Sequence, residues 1–401
     1  MKIGLIREEK IPHDKRVAFT PLQCKALLKD FPGVKIVVQP CDYRCFTNDE
    51  YKMHAIPLQE DLSDCDVLIG VKEVPKQFLI EGKKYLFFSH TIKKQKHNRE
   101  LLRAILAKKI QLIDYECLVD KSENRVIGFG RFAGMVGAYN GIMAYGLKYG
   151  LFKLKSAHLC HDKKEVFKEL ERISLPNIKI VVTGGGRVAN GAMETLGVLG
   201  IRKVTAFEFL NYSFREPVYV QLHSEDYYKA KDGSDFSKSE FYHHPEKFDC
   251  HFATGNSFAS FCDLLIHCTF WDPKAPVLFT VEKMRNPKFH ISVIADVTCD
   301  MNGSIPSTTR PTTIEDKFYG YNPNTEEIDE AFAPSTITVM AIDNLPCELP
   351  RDASDGFGKH LLERVMPCLV GEDDGLIERA TIAKNGKLMP HFEYLSDYVA
   401  D

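Results

Sequence analysis

The sequence predicts an α/β protein of two domains, each built on a mostly parallel sheet flanked by helices. Short apolar runs alternate with helical patterns over residues 1–120, and a second series of the same kind runs over residues 178–342. Such alternation is typical of parallel strands that are connected by helices. The chain has 401 residues, of which 44% are hydrophobic, and this length is more typical of two domains than of one.

The composition excludes several classes of protein. The 52 Lys and Arg residues are balanced by 55 Asp and Glu residues, so the chain lacks the basic excess of a nucleic-acid-binding protein. No apolar run reaches the roughly 20 residues of a membrane-spanning helix, and the N-terminal MKIGLIREEK is typical of a strand rather than a signal sequence. The 12 cysteines form no CxxC pair, which favours reduced thiols over disulfides or a metal. We expect a cytoplasmic protein without nucleic-acid, membrane or metal partners.

The first series gives the elements of the first domain. KIGLI, KIVVQP, CDVLIGV, YLFFSH and IQLIDYECL are predicted strands, while PLQCKALLKDF and NRELLRAILAKK have helical patterns. Residues 132–152 then form a long, largely apolar stretch with closely spaced small residues. A membrane helix is the rival interpretation, but Asn140 and Lys148 interrupt the stretch. Because small residues suit tight helix packing, we predict an interdomain helix over residues 132–152.

The second series predicts five strands of a second domain. They are IKIVVTG, KVTAFEF, CDLLIHCTF, ISVIADVT and ITVMAID. Residues 211–249, between the second and third of these strands, are too polar for a core and too long for a connection in such a unit. We predict that residues 211–249 are an excursion from the domain, either a cover for a cleft or partner or a plain surface loop.

A glycine-rich turn follows the first strand of the second domain. Gly184, Gly186 and Ala189 satisfy the pattern G-x-G-x-x-G/A, which allows a tight turn and places a pyrophosphate at a helix N-terminus. Gly191 is expected to let that helix lie close to the sheet. Glu208, at the end of the predicted strand KVTAFE, is placed to take the ribose hydroxyls and to repel a 2'-phosphate. The pattern favours NAD over NADP; the alternative is a structural turn with a solvated Glu.

Polar residues recur at the ends of the strands of the first domain. Lys72 and Glu73 follow DVLIGV, His90 follows YLFFS, and Glu116 is predicted to lie within an apolar strand. Each one alone has a structural explanation, as a Lys that reaches water, a core His or a paired Glu. In open α/β sheets, however, ligands bind at the carboxyl ends of the strands. Their recurrence there favours a substrate site with acid–base groups.

Eight stretches of the chain resemble one enzyme family. REEKIPHDKRVAFTP, GVKEVP, FFSHTIKKQ and IDYECL are followed by RVIGFGRFAGMVGAY, GGGRVANGA, DVTCD and IDNLPCELPRDAS. They are similar, in the same order, to the NAD-dependent, lysine-forming saccharopine dehydrogenases. These enzymes are relatives of alanine dehydrogenase and of the NAD-binding part of proton-pumping transhydrogenase. The resemblance covers nearly the whole chain.

The resemblance implies two Rossmann-like domains with the active site in the cleft between them. Because the last segment of the family returns to the N-terminal domain, we expect a discontinuous substrate-binding domain of residues 1–131 plus 344–401. Residues 153–343 are then the NAD-binding domain. The sequence departs from the family in two places: the turn GGGRVANGA keeps the spacing G-R-x-x-x-G-A but not the usual residues, and residues 211–249 are longer than expected.

The resemblance also implies roles for individual residues. Lys72 and His90 match the lysine and histidine that act as acid and base catalysts, and Arg16 and Arg125 match arginines that hold substrate carboxylates. The stretch from Asp300 also resembles alanine dehydrogenase, where the matching aspartate is catalytic. The implied substrate-binding residues are Arg16, Glu73, Lys93, Glu116 and Arg125. The implied cofactor-binding residues are Gly184, Gly186, Arg187, Ala189, Gly191, Glu208, Asp300 and Leu345.

The implied reaction is the reversible oxidative deamination of saccharopine to L-lysine and 2-oxoglutarate, with NAD as cofactor and an imine as intermediate. An alanine dehydrogenase or another opine-type dehydrogenase is the alternative with the same chemistry. A non-catalytic NAD-binding module is the alternative from a different class. The expected partner is a small amino-acid substrate, and assembly into a homo-oligomer is left open.

Overall fold

Each of the two units of the molecule has its own sheet. The computed structural model describes residues 1–400, and it divides into unit 1, which is Met1–Phe129 with the chain from Pro350 onward, and unit 2, which is Gly130–Leu349. The division therefore places residues 344–349 in unit 2 rather than in the predicted substrate-binding domain. The helix predicted as an interdomain element also belongs to unit 2.

Residues 1–129 contribute five strands and three helices to unit 1. The first helix begins at a capping box, in which Thr20 Oγ1 accepts the backbone N–H of Gln23 and the Gln23 side chain accepts that of Thr20. A second capping box, formed by Thr47 and Glu50, begins the next helix. The elements are β1 (Lys2–Leu5), α1 (Pro21–Asp30), β2 (Lys35–Val38), α2 (Asn48–Met53), β3 (Val67–Ile69), β4 (Lys84–Phe87), α3 (Arg99–Ala107) and β5 (Gln111–Asp114).

Residues 130–349 contribute ten strands and seven helices, all of them in unit 2. The elements are α4 (Gly130–Lys148), α5 (Lys163–Leu170), β6 (Lys179–Thr183), α6 (Arg187–Val198), β7 (Arg202–Val204), α7 (Ala206–Asn211), β8 (Val218–Leu222), α8 (Ser224–Tyr227), β9 (Tyr228–Ala230), α9 (Lys238–His243), β10 (Phe248–Cys250), β11 (Leu264–His267), α10 (Val281–Met284), β12 (Val293–Asp296), β13 (Tyr319–Asn322), β14 (Glu327–Asp329) and β15 (Ile337–Met340).

The C-terminal residues return to unit 1 and complete its sheet. They contribute both helices and two strands. The elements are α11 (Pro350–His360), α12 (Met366–Val370), α13 (Leu376–Ala380), β16 (Thr381–Lys384), β17 (Lys387–Leu388) and α14 (Ser396–Val399).

The sheet of unit 1 has the strand order β17-β16-β5-β4-β3-β1-β2. The strands β1 to β5 are parallel, whereas β16 runs antiparallel to β5 and β17 antiparallel to β16. The carboxyl ends of β1, β3, β4 and β5 therefore lie at one edge. The loops that follow these strands carry most of the polar residues singled out in the sequence of this unit.

The sheet of unit 2 has the order β14-β13-β15-β12-β11-β6-β8-β7, with only β13 and β14 antiparallel to their neighbours. β8 lies inside residues 211–249, so the prediction that this whole segment leaves the domain was wrong. The run VYVQL is largely buried between β6 and β7, and the polar residues around it concealed the strand. The part that does leave the sheet includes the two-stranded ribbon of β9 and β10.

The helix α4 packs closely against α6. A Cβ atom on Gly134 would lie 1.7 Å from the carbonyl oxygen of Val188, and one on Gly191 would lie 1.8 Å from that of Arg131. The small residues of α4 thus allow close helix packing, as predicted. Gly191 of α6, however, packs against α4 rather than against the sheet. α4 spans Gly130–Lys148, earlier than the predicted 132–152. Within residues 1–400, no helix combines the length and the hydropathy needed to cross a bilayer.

Candidate active site and cofactor-binding edge

A buried carboxylate holds the imidazole of His90 at the carboxyl edge of unit 1. Nδ1 of His90 lies 2.6 Å from Oε1 of Glu73, and Lys10 Nζ donates to Oε2 of the same carboxylate at 2.8 Å. Burial alone would raise the pKa of Glu73, but the bonds from His90 and Lys10 lower it to about 2. Glu73 is therefore ionised at neutral pH and fixes the orientation of the ring.

The backbone of His90 is in an unusual conformation. Its φ of 51° lies in the left-handed region, which non-glycine residues rarely adopt. Backbone strain of this kind persists only where the surrounding structure imposes it, and it clusters at functional sites. The adjacent Ser89 donates its backbone N–H to Asp114 at 3.0 Å, which holds the loop after β4 in place.

Glu8 is a site residue that the sequence reasoning missed. Its carboxylate accepts the backbone N–H groups of Val71 and Lys72, each at 2.7 Å. Its side chain is almost fully buried, and burial raises its pKa to about 8 although the two N–H donors oppose this. Glu8 thereby fixes the backbone that carries Lys72. It comes three residues after the end of β1, as Lys72 does after β3 and His90 after β4, so the rule that indicated Lys72 and His90 applies equally to Glu8.

Arg16, predicted to bind a substrate carboxylate, already has a carboxylate partner in the chain. Its Nη2 lies 2.5 Å from Oδ2 of Asp14, and both side chains are buried. Burial alone would raise the pKa of Asp14, but the Arg16 guanidinium holds it well below its usual range. The guanidinium also lies over the ring of Phe129, at 4.1 Å from the centroid. Lys72 lies close enough to contribute to the same effect on Asp14.

Glu116, Lys93 and Arg125 form a second charged cluster in unit 1. Glu116 lies in a 3-10 turn after β5, not within the strand as predicted, because the strand ends at Asp114. Its Oε1 is 3.9 Å from Lys93 Nζ and 3.8 Å from Arg125 Nη1. Its Oε2 is buried and accepts no hydrogen bond from residues 1–400. The structure therefore brings three of the predicted substrate-binding residues together. Lys93 and Arg125 lie near Glu116, whose carboxylate can accept a further hydrogen bond.

Asp114 supports both clusters of unit 1 and was also missed. Its carboxylate accepts the backbone N–H of Glu116 at 2.7 Å and that of Ser89. Ser89 precedes His90, so one fully buried carboxylate fixes the loops that carry His90 and Glu116. Asp114 is the last residue of β5. A single carboxylate at the end of a strand does not by itself indicate that it supports two loops.

The glycine turn of unit 2 has the geometry of an anion-binding turn. Gly184 has a φ of 95°, and a Cβ atom on Gly185 would lie 2.7 Å from the ring of His223. Gly186 is the N-cap of α6, Arg187 is its first residue, and no side chain caps it. A helix N-terminus without a side-chain cap is a common place for an anion to bind. Ala189 and Gly191 are buried in α6.

The strand beside the glycine turn is β8, not the strand before Glu208. Gly184 donates its backbone N–H to Leu222 at 2.7 Å, and Gln221 Nε2 donates to the Gly184 carbonyl at 2.9 Å. β7 ends at Val204, and Glu208 belongs to α7, where its carboxylate accepts the N–H of Thr205 in a capping box. The prediction that Glu208 ends the strand KVTAFE was wrong, because this strand stops at Val204. β7 also lies one strand farther from the glycine turn than β8 does.

A buried histidine connects the strand ends of unit 2. His267 Nδ1 lies 2.9 Å from Thr183 Oγ1, and its Nε2 lies 2.9 Å from Ser304 Oγ. Burial lowers the pKa of His267, so the ring is neutral. Asp296, at the end of β12, accepts hydrogen bonds from the hydroxyl groups of Thr298 and Thr308. These bonds hold the loop that follows β12.

The last two predicted cofactor residues differ in exposure. Asp300 lies exposed in the loop after β12, and its carbonyl accepts the N–H of Gly303 at 2.9 Å. Leu345 is 1% exposed and belongs to the hydrophobic core of unit 2. Its side chain packs against α4, within reach of Gly137, so it is part of the core rather than of an exposed surface.

Comparison with known proteins identifies relatives of both units. Residues 4–136 match the family described as alanine dehydrogenase/PNT, N-terminal domain. Over 98% of its length, the chain is 26% identical to an alpha-aminoadipic semialdehyde synthase of Arabidopsis thaliana, and it covers 41% of that protein. It therefore spans less than half of this longer relative. It is also 25% identical to a saccharopine dehydrogenase [NAD(+), L-lysine-forming] of Emericella nidulans, over 91% of this chain and 90% of the relative.

A solved L-alanine dehydrogenase has the same fold. Its TM-score is 0.65 at 17% identity, and the match covers 100% of both chains. This agreement confirms the predicted α/β fold with two Rossmann-like units. Residues 4–136 thus match the alanine dehydrogenase/PNT N-terminal domain, and the chain as a whole is similar in sequence to saccharopine dehydrogenases [NAD(+), L-lysine-forming] and in fold to an L-alanine dehydrogenase.

Proposed function

We propose that the chain catalyses the reversible, NAD-dependent oxidation of saccharopine to L-lysine and 2-oxoglutarate. The observation that carries the proposal is the contact of 2.6 Å between His90 Nδ1 and the ionised, buried Glu73. A carboxylate that accepts from Nδ1 leaves Nε2 of the neutral ring as the proton acceptor, which is the arrangement of a general base. Lys72 lies on the loop after β3, and Glu8 holds the backbone of this loop in place.

The reaction needs several proton transfers besides the hydride transfer. When the hydride leaves the α-carbon of the glutamate moiety, the amine proton also leaves and a carbon–nitrogen double bond forms; we assign this proton to His90 Nε2. As water adds to this imine, we assign to Lys72 the donation of a proton to the imine nitrogen and the uptake of the proton that the water loses. When the carbon–nitrogen bond then breaks, the hydroxyl proton moves to the leaving nitrogen, which releases the amino group of lysine and the keto group of 2-oxoglutarate.

The cluster around Glu116 suits a substrate with several charges. Lys93 and Arg125 have side chains that are 64% and 44% exposed, so they are accessible to substrate carboxylates. The unpartnered Oε2 of Glu116 is placed to accept the substrate's ammonium group. Arg16 is bonded to Asp14, and we propose that it binds a carboxylate only together with that partner.

Unit 2 fits a dinucleotide. The uncapped N-terminus of α6 and the tight turn at Gly184 and Gly186 suit a pyrophosphate. Bound NAD supplies the hydride acceptor. We propose that the adenosine ribose lies beside His223, which follows β8, because the acidic residue Glu208 is one strand farther out. The preference for NAD over NADP is then supported by the similarity to the saccharopine dehydrogenase [NAD(+), L-lysine-forming] of Emericella nidulans rather than by Glu208.

The test is NADH oxidation by the purified chain with two substrate pairs, 2-oxoglutarate with L-lysine and pyruvate with ammonia. Turnover of the first pair that is lost in His90→Ala and in Lys72→Ala supports the proposal. Turnover of the second pair alone replaces it with an alanine dehydrogenase. NADH binding without turnover of either pair overturns it in favour of another amine substrate or a non-catalytic module.

A further inference from the structure

Unit 2 contains a cavity of about 460 Å³ at the edge of its sheet opposite to the glycine turn. Ser292, which precedes β12, and Ile337, the first residue of β15, line this cavity. It therefore lies at the amino ends of two parallel strands, whereas the glycine turn follows the carboxyl end of β6. Cavities of a few hundred Å³ hold small organic molecules. The proposed function leaves this cavity without a role.

The charge of the lining favours an anion. Of the fourteen residues that line the cavity, two are cationic and none is acidic. Arg285 is compensated, because its Nη2 contacts Glu326 and its Nε donates to the carbonyl of Pro323. Lys148 Nζ instead donates to two neutral acceptors, the carbonyls of Ala333 at 3.1 Å and of Thr336 at 2.8 Å. Lys148 is therefore the uncompensated charge of the cavity.

A purely structural role does not require this charge. An amide side chain bonds to backbone carbonyls without the cost of a half-buried ammonium that has no counter-ion. Burial lowers the pKa of Lys148, and no acidic group among residues 1–400 acts to raise it. A bound anion would supply the missing counter-charge and would take the third N–H of the ammonium group.

Part of the remaining lining is apolar. Phe289, Ile291 and Phe332 are among the side chains that form it. One uncompensated cation beside an apolar wall matches a singly charged ligand with a hydrophobic body better than an inorganic phosphate, which carries more charge and no apolar surface. We propose that the cavity binds a small organic monocarboxylate, with its carboxylate on Lys148 and its apolar body on Phe289, Ile291 and Phe332.

The test measures the reactivity of Lys148 itself, so it is independent of catalysis. The intact chain is acetylated with an N-hydroxysuccinimide ester, and the rates at Lys148 and at Lys168 are followed by peptide mass spectrometry. Lys168 is a matched control, because it is exposed and also lies in the last turn of a helix of unit 2. The probes are phenylacetate, its neutral analogue phenylacetamide, and inorganic phosphate.

We expect phenylacetate to slow the acetylation of Lys148 about tenfold at a concentration about ten times its dissociation constant, since protection follows occupancy. Lys168 should not change, and phenylacetamide and phosphate at the same concentration should protect neither lysine. The proposal is overturned if phenylacetate leaves Lys148 unprotected, if it slows both lysines equally, or if phenylacetamide or phosphate protects Lys148 as well as phenylacetate does.

A variant of the apolar wall tests the second half of the proposal. Phe332→Ser removes part of the apolar wall without blocking the access of the reagent to Lys148. The phenylacetate concentration that halves the acetylation rate of Lys148 should therefore rise about tenfold. Phe207→Ser is the control, because Phe207 is 65% exposed on α7 and does not line the cavity. Equal protection of Lys148 in the two variants would contradict the assigned position of the apolar body.

Discussion

Replacing Glu73 by glutamine should weaken both the fold of unit 1 and the proposed general base. The pKa of Glu73 lies at about 2 against an ordinary value of 4.5. Since a pKa difference of one corresponds to about 1.4 kcal/mol, the folded protein favours the ionised carboxylate by about 3 kcal/mol. Glu73→Gln keeps the size of the side chain but removes this charge from His90 and Lys10.

The sign of the pH dependence follows from the lowered pKa. The stabilisation is fully present above pH 4.5, and it is lost as the pH falls through 4.5 towards 2, where the folded carboxyl takes up its proton. The free energy of unfolding of Glu73→Gln should therefore lie about 2–3 kcal/mol below that of the unmodified chain at pH 7. The difference should shrink steadily below pH 4.5. Urea denaturation at a series of pH values measures it.

The same substitution should lower kcat with lysine and 2-oxoglutarate about 100-fold, because the imidazole loses the acceptor that fixes its Nδ1 proton. Glu60→Gln is the control: Glu60 also pairs with a basic residue of unit 1, Arg7, but its side chain is 62% exposed, so its loss should cost less than about 1 kcal/mol. A Glu73→Gln variant with unchanged kcat, or with a stability deficit that persists unaltered at pH 2, would refute the reasoning.

Three further substitutions test other parts of the structure. Glu8→Gln retains one acceptor oxygen for two backbone N–H groups, so urea denaturation above pH 8, where Glu8 is ionised, should give a loss of about 1–3 kcal/mol; an unchanged midpoint there would contradict the bridging role. Gly191→Ala places a methyl group against the carbonyl of a facing helix, whereas Gly197→Ala on the same helix meets nothing within 4 Å. Thermal unfolding should show a loss of about 1–3 kcal/mol only in the first, and equal melting temperatures would refute the close contact. Glu208→Ala should change KM for NADH by less than about twofold, and a tenfold rise would restore Glu208 as the ribose-binding residue.

The arrangement of strands and helices was readable from the sequence because apolar runs alternate with helical patterns. The order of strands within a sheet was less accessible. β7 precedes β8 in the chain but lies outside it in the sheet, so counting positions from the glycine turn led to Glu208 instead of to the end of β8. The hydrophobic pattern also failed to predict the strand VYVQL, which has five residues and polar neighbours on both sides.

The candidate site was predictable where side chains follow strands, and less so where they support other residues. Lys72 and His90 stand out because a titratable residue ends an apolar run. Glu8 and Asp114 act by accepting backbone N–H groups of distant loops, and such contacts depend on the tertiary fold rather than on any local pattern. The close pairing of Arg16 with Asp14 depends likewise on the loop that brings both groups inside.

The position of the two C-terminal strands of unit 1 in the chain has a consequence for folding during synthesis on the ribosome. β16 pairs with β5, and all of unit 2 lies between them in the chain. Translation therefore delivers the complete sequence of unit 2 while the sheet of unit 1 still has an open edge at β5. Unpaired edges promote association with other chains. During synthesis, the N-terminal segment Met1–Phe129 thus keeps an unpaired edge until the end of the chain is made, although this segment is made first.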